Sequence, residues 1–330
     1  MLDLRDLPEM SAGLREAAQQ GRLVPFVGAG ASRIAGCPGW GDFADRSLRA
    51  LISAGKLNFA QFDQIAHLPP RVKLSICRQL ATQHGVEIEY KKILAPSGYA
   101  DPRGLRLYGA LGKLGNVSVT SNYDEWGDMD RALPPLPLTS SITPATPPAS
   151  VSRNVFYKHE DFTAANLARP GSVFHLHGSV ADPAGMIMTT HDYVQHYQND
   201  RFTGKATGEN VILTFLDHLF RHKTVLFVGY GLDELEILEY VILKARQQKQ
   251  SDTAIRHYIL QGYFSHEMEW MRHMHQYYAN ECGIELIPFR RDATDYDQLL
   301  EVLDHFVKAL PPVTLGDIQL LSEMKDLLNG

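Results

Sequence analysis

Six short apolar runs, rich in β-branched residues, set the rhythm of this chain: Leu23 to Val27, Val117 to Thr120, Val173 to Leu176, Thr224 to Val228, Tyr258 to Leu260 and Ile284 to Phe289. They end in glycine or polar residues and give way to helical spacing. Runs apolar on both faces suit strands buried from both sides, and such strands need helical crossovers to stay parallel. The expected fold is therefore an open parallel α/β sheet covered by helices. After the first run, Asp42 reads as an N-cap, followed by Phe43, Ala44, Leu48, Leu51 and Ile52 at helical spacing. After the fourth, Asp233 reads as the cap of a helix carrying Leu235, Leu238 and Ile242. Leu4 to Gln20 predicts an opening helix, and Tyr296 to Leu310 a late amphipathic one.

Two stretches break the rhythm. Residues 56–100 read as helices interrupted at Pro69-Pro70 and Pro96, a helical insertion rather than a strand. Residues 132–150 hold Pro134, Pro135, Pro137, Pro144, Pro147 and Pro148 among small residues, the composition of a surface loop placed to cover a site. With a tail from 311 to 330, the whole chain, 1–330, is expected to form one enlarged domain.

A formal charge of -6 and basic pairs no longer than Lys91-Lys92 and Arg290-Arg291 argue against direct binding of nucleic acid. No run approaches the length of a membrane span, and Met1 to Met10 lacks the pattern of a secretion signal, so a cytoplasmic protein without membrane partners is expected. Cys37, Cys77 and Cys282 are too few and too scattered for a disulfide framework or a four-cysteine zinc site; buried thiols are expected. His218 and His222 have metal-ligand spacing but no carboxylate partner in a metalloenzyme pattern, so no metal is expected. Met186 and Met188 read as core residues of a strand.

The chemistry concentrates at the ends of the runs. The first passes straight into Gly28-Ala29-Gly30-Ala31-Ser32, a turn whose glycines let a backbone approach a pyrophosphate and whose following helix offers free N–H groups. Arg33 stands where the usual dinucleotide fingerprint has its third glycine, so the turn alone is a weak signal. Three more motifs follow at strand ends: Thr120-Ser121-Asn122-Tyr123-Asp124, His175-Leu176-His177-Gly178, and Gly229-Tyr230-Gly231-Leu232-Asp233. Ligands of open parallel sheets sit outside the carboxyl ends of the strands, where all four motifs fall.

With these motifs in this order, the chain resembles the sirtuin superfamily from about Leu23 to Phe289, and especially its bacterial branch of sirtuin-like NAD-consuming proteins. The resemblance implies a Rossmann-like fold with NAD as substrate. Gly28, Ala29, Gly30 and Ser32 would hold the pyrophosphate. Asn122, Asp124 and His177 would face the nicotinamide ribose as the catalytic group, and Gly229, Tyr230 and Asp233 would line the adenosine side. Trp40, in Pro38-Gly39-Trp40-Gly41, stands near the position of the aromatic that shields nicotinamide. Cleavage of the nicotinamide bond leaves an oxocarbenium-like sugar. A histidine can take a proton from a ribose hydroxyl or water, an asparagine amide can orient the attacking oxygen, and an aspartate can fix geometry or stabilise positive charge.

Deacylating sirtuins carry two cysteine pairs for zinc after the histidine-glycine motif, whereas here no cysteine occurs between Cys77 and Cys282. An acyl-lysine channel then has little support, and water becomes the expected acceptor, giving ADP-ribose and nicotinamide. The resembling bacterial proteins commonly deplete NAD during phage infection. The resemblance therefore also implies control by homo-oligomerisation or by a partner such as a HerA-type ATPase, an Argonaute-like protein or a phage sensor. The same residues have simpler readings. Asn122 and Asp124 fit N-caps, His175 competes with His177 for the functional place, and Trp40 fits plain packing. A non-catalytic module that binds NAD or ADP-ribose, or a deacylase or ADP-ribosyltransferase, are the other functions to separate.

Overall fold

The computed structural model describes residues 7–95, 101–129, 131–132, 150–197, 210–231 and 257–311. Its centre is a sheet built from β1 (Leu23–Val27), β2 (Ser118–Thr120), β5 (Asn154–Phe156), β6 (Ser172–His175), β7 (Thr224–Val228), β8 (His257–Tyr263) and β9 (Ile284–Arg290), in the order β5-β6-β2-β1-β7-β8-β9. Every pairing in it is parallel. Leu23-Val24-Pro25-Phe26-Val27 and Thr224-Val225-Leu226-Phe227-Val228 are buried at every position, as continuous apolar strands between two helical layers must be. This is the open parallel α/β sheet expected from the rhythm of runs, and it is Rossmann-like, as the family resemblance implies.

The connectivity places the site. From β1 the chain moves to β2 and β6 on one side, then returns across β1 to β7, β8 and β9 on the other. The reversal leaves a crevice at the carboxyl end of β1, flanked by the ends of β2 and β7. Gly28, Ser121 and Gly229 are the first residues beyond those three strands.

Several boundaries differ from expectation. Leu176 lies outside β6, and the edge strand β5 is too short to announce itself in the sequence. The Pro-rich stretch is tied at its base by a two-stranded antiparallel ladder of β3 (Arg131–Ala132) and β4 (Ser150–Val151), Arg131 opposite Val151 and Ala132 opposite Ser150. Its interior, 133–149, lies outside the described residues, as do the expected helix after Asp233 and residues 312–330 of the tail. The opening helix is α1 (Ala12–Gln19), capped by Ser11, whose side chain accepts from the Leu14 N–H. Following α2 (Ala29–Ile34), helix α3 (Trp40–Ser53) starts earlier than expected: Gly39 is the N-cap and Asp42 sits in the first turn, where its charge favours the positive helix end.

The insertion is helical, with α4 (Phe59–Ile65), α5 (Pro70–His84) and α6 (Tyr90–Leu94). The expected break at Pro69-Pro70 is a helix start, because proline at the first helical position gives up only an N–H that would be unpaired anyway. Helix α7 (Pro102–Leu114) returns the chain to β2, and the short α8 (Ala164–Ala168) lies between β5 and β6. Two cores lie on the sheet faces, and a third joins Phe43, Leu48 and Leu51 of α3 to Phe62, Leu74, Cys77, Tyr90 and Leu94 of the insertion. That third core also takes in Tyr123, Val180, Met186 and Met188. Met186 and Met188 are thus core residues, but of the segment after β6 rather than of a strand. The three cysteines are buried free thiols.

Candidate functional site

At the crevice, the side chain of Asn122 turns inward. Its Nδ2 donates to the Gly28 carbonyl at 2.9 Å and to Ser32 Oγ at 2.7 Å. Ser32 Oγ in turn donates to Asp124 Oδ2 at 2.5 Å, and Asp124 Oδ1 accepts from the Trp126 N–H at 3.1 Å. The amide orientation is dictated, since reversing it would set one carbonyl oxygen against another at Gly28. Both amide protons are therefore committed, and the amide oxygen is what Asn122 has left to offer a ligand. Asp124 is buried, and desolvation raises its pKa above the ordinary carboxylate value against the hydrogen bonds from Ser32 and Trp126.

Beneath Asn122 lies His175, fully buried. Its Nδ1 is 2.9 Å from the Asn122 carbonyl oxygen and its Nε2 2.8 Å from Asp128 Oδ1. Burial opposes charging the ring, but Asp128 and the Asn122 carbonyl outweigh it and hold the pKa above its usual value. His175 therefore anchors the Asn122 backbone.

His177 faces another way, toward α9 (Thr190–Tyr197). Tyr197 Oη lies 2.8 Å from its Nε2 and Tyr193 Oη 3.3 Å from its Nδ1. Burial pushes the imidazole down to about 3, with help from the charges of neighbouring His196 and Arg71. The ring is thus neutral at physiological pH. His196 is itself pushed down to about 4, by burial first and His159 second.

These shifts predict acid sensitivity. A histidine held neutral in the fold but titrating near 6.5 when unfolded contributes stability that is complete above about 6.5 and lost as pH falls below it, at up to about 1.4 kcal/mol per pH unit per group. His177 and His196 both act in this sense. His175, with its raised pKa, is protonated in both states below about 6.5 and adds no slope there. The raised pKa of Asp124 works in the opposite sense to the two lowered histidines. Thermal melts are expected to fall between pH 7 and 5, and His196→Gln to flatten that fall; an unchanged slope in the variant would refute the assignment.

The glycine turn is explained first by the chain itself. A Cβ on Gly28 would lie 2.6 Å from the Tyr230 ring, and one on Gly30 would lie 2.8 Å from the Gly229 carbonyl oxygen. The N–H groups of Gly28 and Gly30 donate to the Val228 and Gly229 carbonyls. Ala29 begins α2 and Ser32 is buried within it. Tyr230 is buried against Phe26 and Phe227, and its hydroxyl donates to Ser121 Oγ at 2.9 Å. Swinging it onto a ligand would forfeit about 2 kcal/mol of burial and roughly 1 kcal/mol of hydrogen bonding, so Tyr230 is held as scaffold. Trp40 stacks on Tyr123 with ring centroids 5.7 Å apart. Asp233 lies outside the described residues.

A cavity of about 280 Å³ opens beside Gly30, walled by Arg33, Ile34, Arg103 and residues 294–297. Its Tyr296 ring lies under the Arg291 guanidinium at 4.3 Å.

The structure thus joins Gly28, Ser32, Asn122 and Asp124 in one buried polar chain and puts His177 in a neighbouring aromatic setting. Sequence reasoning overlooked Tyr193, His196 and Tyr197, although the four-residue step between the two tyrosines on a helical pattern was a usable signal. It also overlooked Arg71, which belongs to a distant segment. His218 and His222 are neighbours on α10 (Val211–His222), with ring centroids 4.4 Å apart, but among the described residues no group of three or more potential ligands could hold a metal ion.

Compared with known protein families, residues 116–287, just over half of the chain, match the SIR2-like domain. The chain belongs to the SIR2-like family. The match spans β2 through most of β9, including Asn122, Asp124, His177 and Gly229, while the glycine turn and helical insertion precede it. Membership in the SIR2-like family ties the chain to NAD-related chemistry. No curated protein matches it. Among the described residues, no helix is long and apolar enough to cross a membrane.

Proposed function

We propose that this SIR2-like chain hydrolyses NAD at the nicotinamide–ribose bond. Water adds to the anomeric carbon, the carbon–nitrogen bond breaks, and its electron pair neutralises the pyridinium as nicotinamide leaves. The proton lost by water passes to His177 or to solvent, and ADP-ribose is the other product. The observation that carries this reading is the commitment of both Asn122 amide protons to Gly28 and Ser32. The remaining amide oxygen can accept a hydrogen bond from water or a ribose hydroxyl without ionising. Asp124, one hydrogen bond further back, holds Ser32 and through it the amide. The pyrophosphate is assigned to the Gly28–Ser32 turn. The adenosine end is assigned to the cavity beside Gly30, since Tyr230 is occupied in the core.

The absence of cysteines between Cys77 and Cys282 favours water over an acyl-lysine as acceptor, because it leaves no cysteine set for the zinc module of deacylating sirtuins. Chromatography of the products from NAD is expected to show nicotinamide and ADP-ribose for the wild type, with partner present if required, and neither for a folded His177→Ala variant. Equal turnover by that variant would refute the role given to His177.

A second reading is favoured by one observation, the tyrosine hydroxyls beside both nitrogens of His177. A module that only binds NAD or ADP-ribose needs no accessible base there. Calorimetric binding without turnover under all conditions would establish it. An unrestrained NAD hydrolase would harm its own cell, so we assign the activity to cytoplasmic NAD depletion in phage defence. Control comes from homo-oligomerisation or from a partner such as a HerA-type ATPase, an Argonaute-like protein or another phage sensor. The solution mass, alone and with the product of the neighbouring gene, tests this: a monomer in both cases would contradict it.

A further inference from the structure

Helix α5 turns two faces to its surroundings. Leu74, Cys77 and Ala81 are buried in the insertion core, while Arg71, Ser75 and Arg78, at helical spacing, meet α9. The Arg71 guanidinium lies 3.7 Å from the centre of the Tyr193 ring. Ser75 Oγ accepts from the Thr190 N–H at 3.2 Å. Arg78 donates to both carboxylate oxygens of Asp192, at 2.9 and 2.7 Å, and to the Met186 carbonyl at 3.1 Å. Both carboxylate bonds come from the single nitrogen Nη1, while Nη2 makes the Met186 contact, and charge-assisted bonds such as those to Asp192 are stronger than neutral ones. Asp192 also accepts from the Met188 and Thr189 N–H groups, so the clamp grips α9 at its first turn.

The far end of α9 is thereby laid against His177, with Tyr197 at Nε2 and Tyr193 at Nδ1. The rings of Tyr193, His196 and Tyr197 stand 5.0, 6.1 and 6.0 Å from the imidazole, by centroids. A base so placed has no ring nitrogen clear of a tyrosine hydroxyl. It is also too weak to take a proton effectively near neutral pH, where a base works best when its pKa is close to ambient.

We propose that α9 is an autoinhibitory latch closed on His177 and held by Arg71, Ser75 and Arg78 of the helical insertion, so that displacing α5 or α9 releases the imidazole for NAD cleavage. The proposal rests on the reading of the chain as an NAD hydrolase. It places the control input on the insertion, away from the crevice. The groups facing His177 are Tyr193, His196 and Tyr197 from α9, Arg71 from α5 and the Ser121 carbonyl beyond β2, with His159 behind His196.

Arg78→Gln loosens the clamp without touching His177 or its charged neighbours, and Tyr197→Phe frees Nε2 with the clamp intact. Each is to be assayed as the full chain without partner, with folding checked by thermal melts. NAD cleavage is followed alongside the titration of the His177 imidazole by NMR in the absence of NAD. Both variants are expected to cleave NAD at least about tenfold faster than wild type, and Arg78→Gln to move the imidazole titration toward its ordinary value. Rates at or below wild type together with an unmoved titration would overturn the latch and leave α9 a structural brace. An imidazole that moves in Arg78→Gln while no form of the protein cleaves NAD, even with the product of the neighbouring gene added, would support the latch and overturn the hydrolase reading instead.

Discussion

Asn122→Ala is expected to lower NAD cleavage by at least about a hundredfold, the scale seen when one positioned polar group is removed from a reacting centre. The same change should cost about 1–3 kcal/mol of stability, because the Gly28 carbonyl and Ser32 Oγ lose a donor inside a buried network. The two effects separate by experiment: activity is compared at a temperature where melts show the variant fully folded. Asn122→Asp sharpens the comparison. It keeps the shape but removes both donors and adds negative charge facing the Gly28 carbonyl and near buried Asp124, so it should be less stable than the alanine variant at neutral pH. A folded Asn122→Ala protein that cleaves NAD at the wild-type rate would remove Asn122 from the chemistry.

Gly229→Ala is expected to be the most damaging single-methyl change in the site. The residue sits at φ +70°, and an added Cβ would collide with the Ala31 backbone nitrogen, an atom that cannot swing aside. The left-handed conformation costs roughly 1–2 kcal/mol for a non-glycine residue, and overpacking roughly 1–3 kcal/mol more. A loss of about 2–5 kcal/mol is large against the 5–15 kcal/mol that typically holds a domain together. Gly41→Ala is the control: it lies in the first turn of α3 with nothing within 4 Å of the added carbon, and should change stability by less than about 0.5 kcal/mol. Equal denaturation midpoints for the two variants would contradict the close approach of the turn after β7 to the start of α2.

The sheet was legible because parallel strands buried on both faces leave continuous apolar runs, as in Leu23 to Val27 and Thr224 to Val228. The edge strand Asn154–Phe156 was not legible: it is three residues long and only partly buried, so its register comes from its neighbour rather than from its own composition. Asp42 misled because it is a favoured capping residue close to a helix start, and nothing local showed that backbone geometry at Gly39 would open the helix earlier. In the site, sequence order identified the strand-end motifs, yet could not say which way their side chains turn. His175 and His177 are two residues apart, but one lies under Asn122 against Asp128 and the other under the tyrosines of α9. Tyr230 reads as a ligand-facing aromatic in the late glycine motif. Its burial between Phe26 and Phe227 depends on the β1–β7 pairing, a contact about 200 residues apart in sequence that no local pattern encodes.

Tyr123 gives the third core a meaning beyond packing. Its ring is sunk among the insertion helices, its hydroxyl donates to the Ile187 carbonyl, its own carbonyl accepts from Val180, and Ile187 donates to the carbonyl of His177. The floors under positions 122 and 177 are therefore stitched to one patch of hydrocarbon belonging to the insertion. A lineage can rewrite the outward residues of α4 and α6, and those of α5 that do not meet α9, to suit a new regulator at little risk, whereas each change to the inward residues is also a change to the crevice.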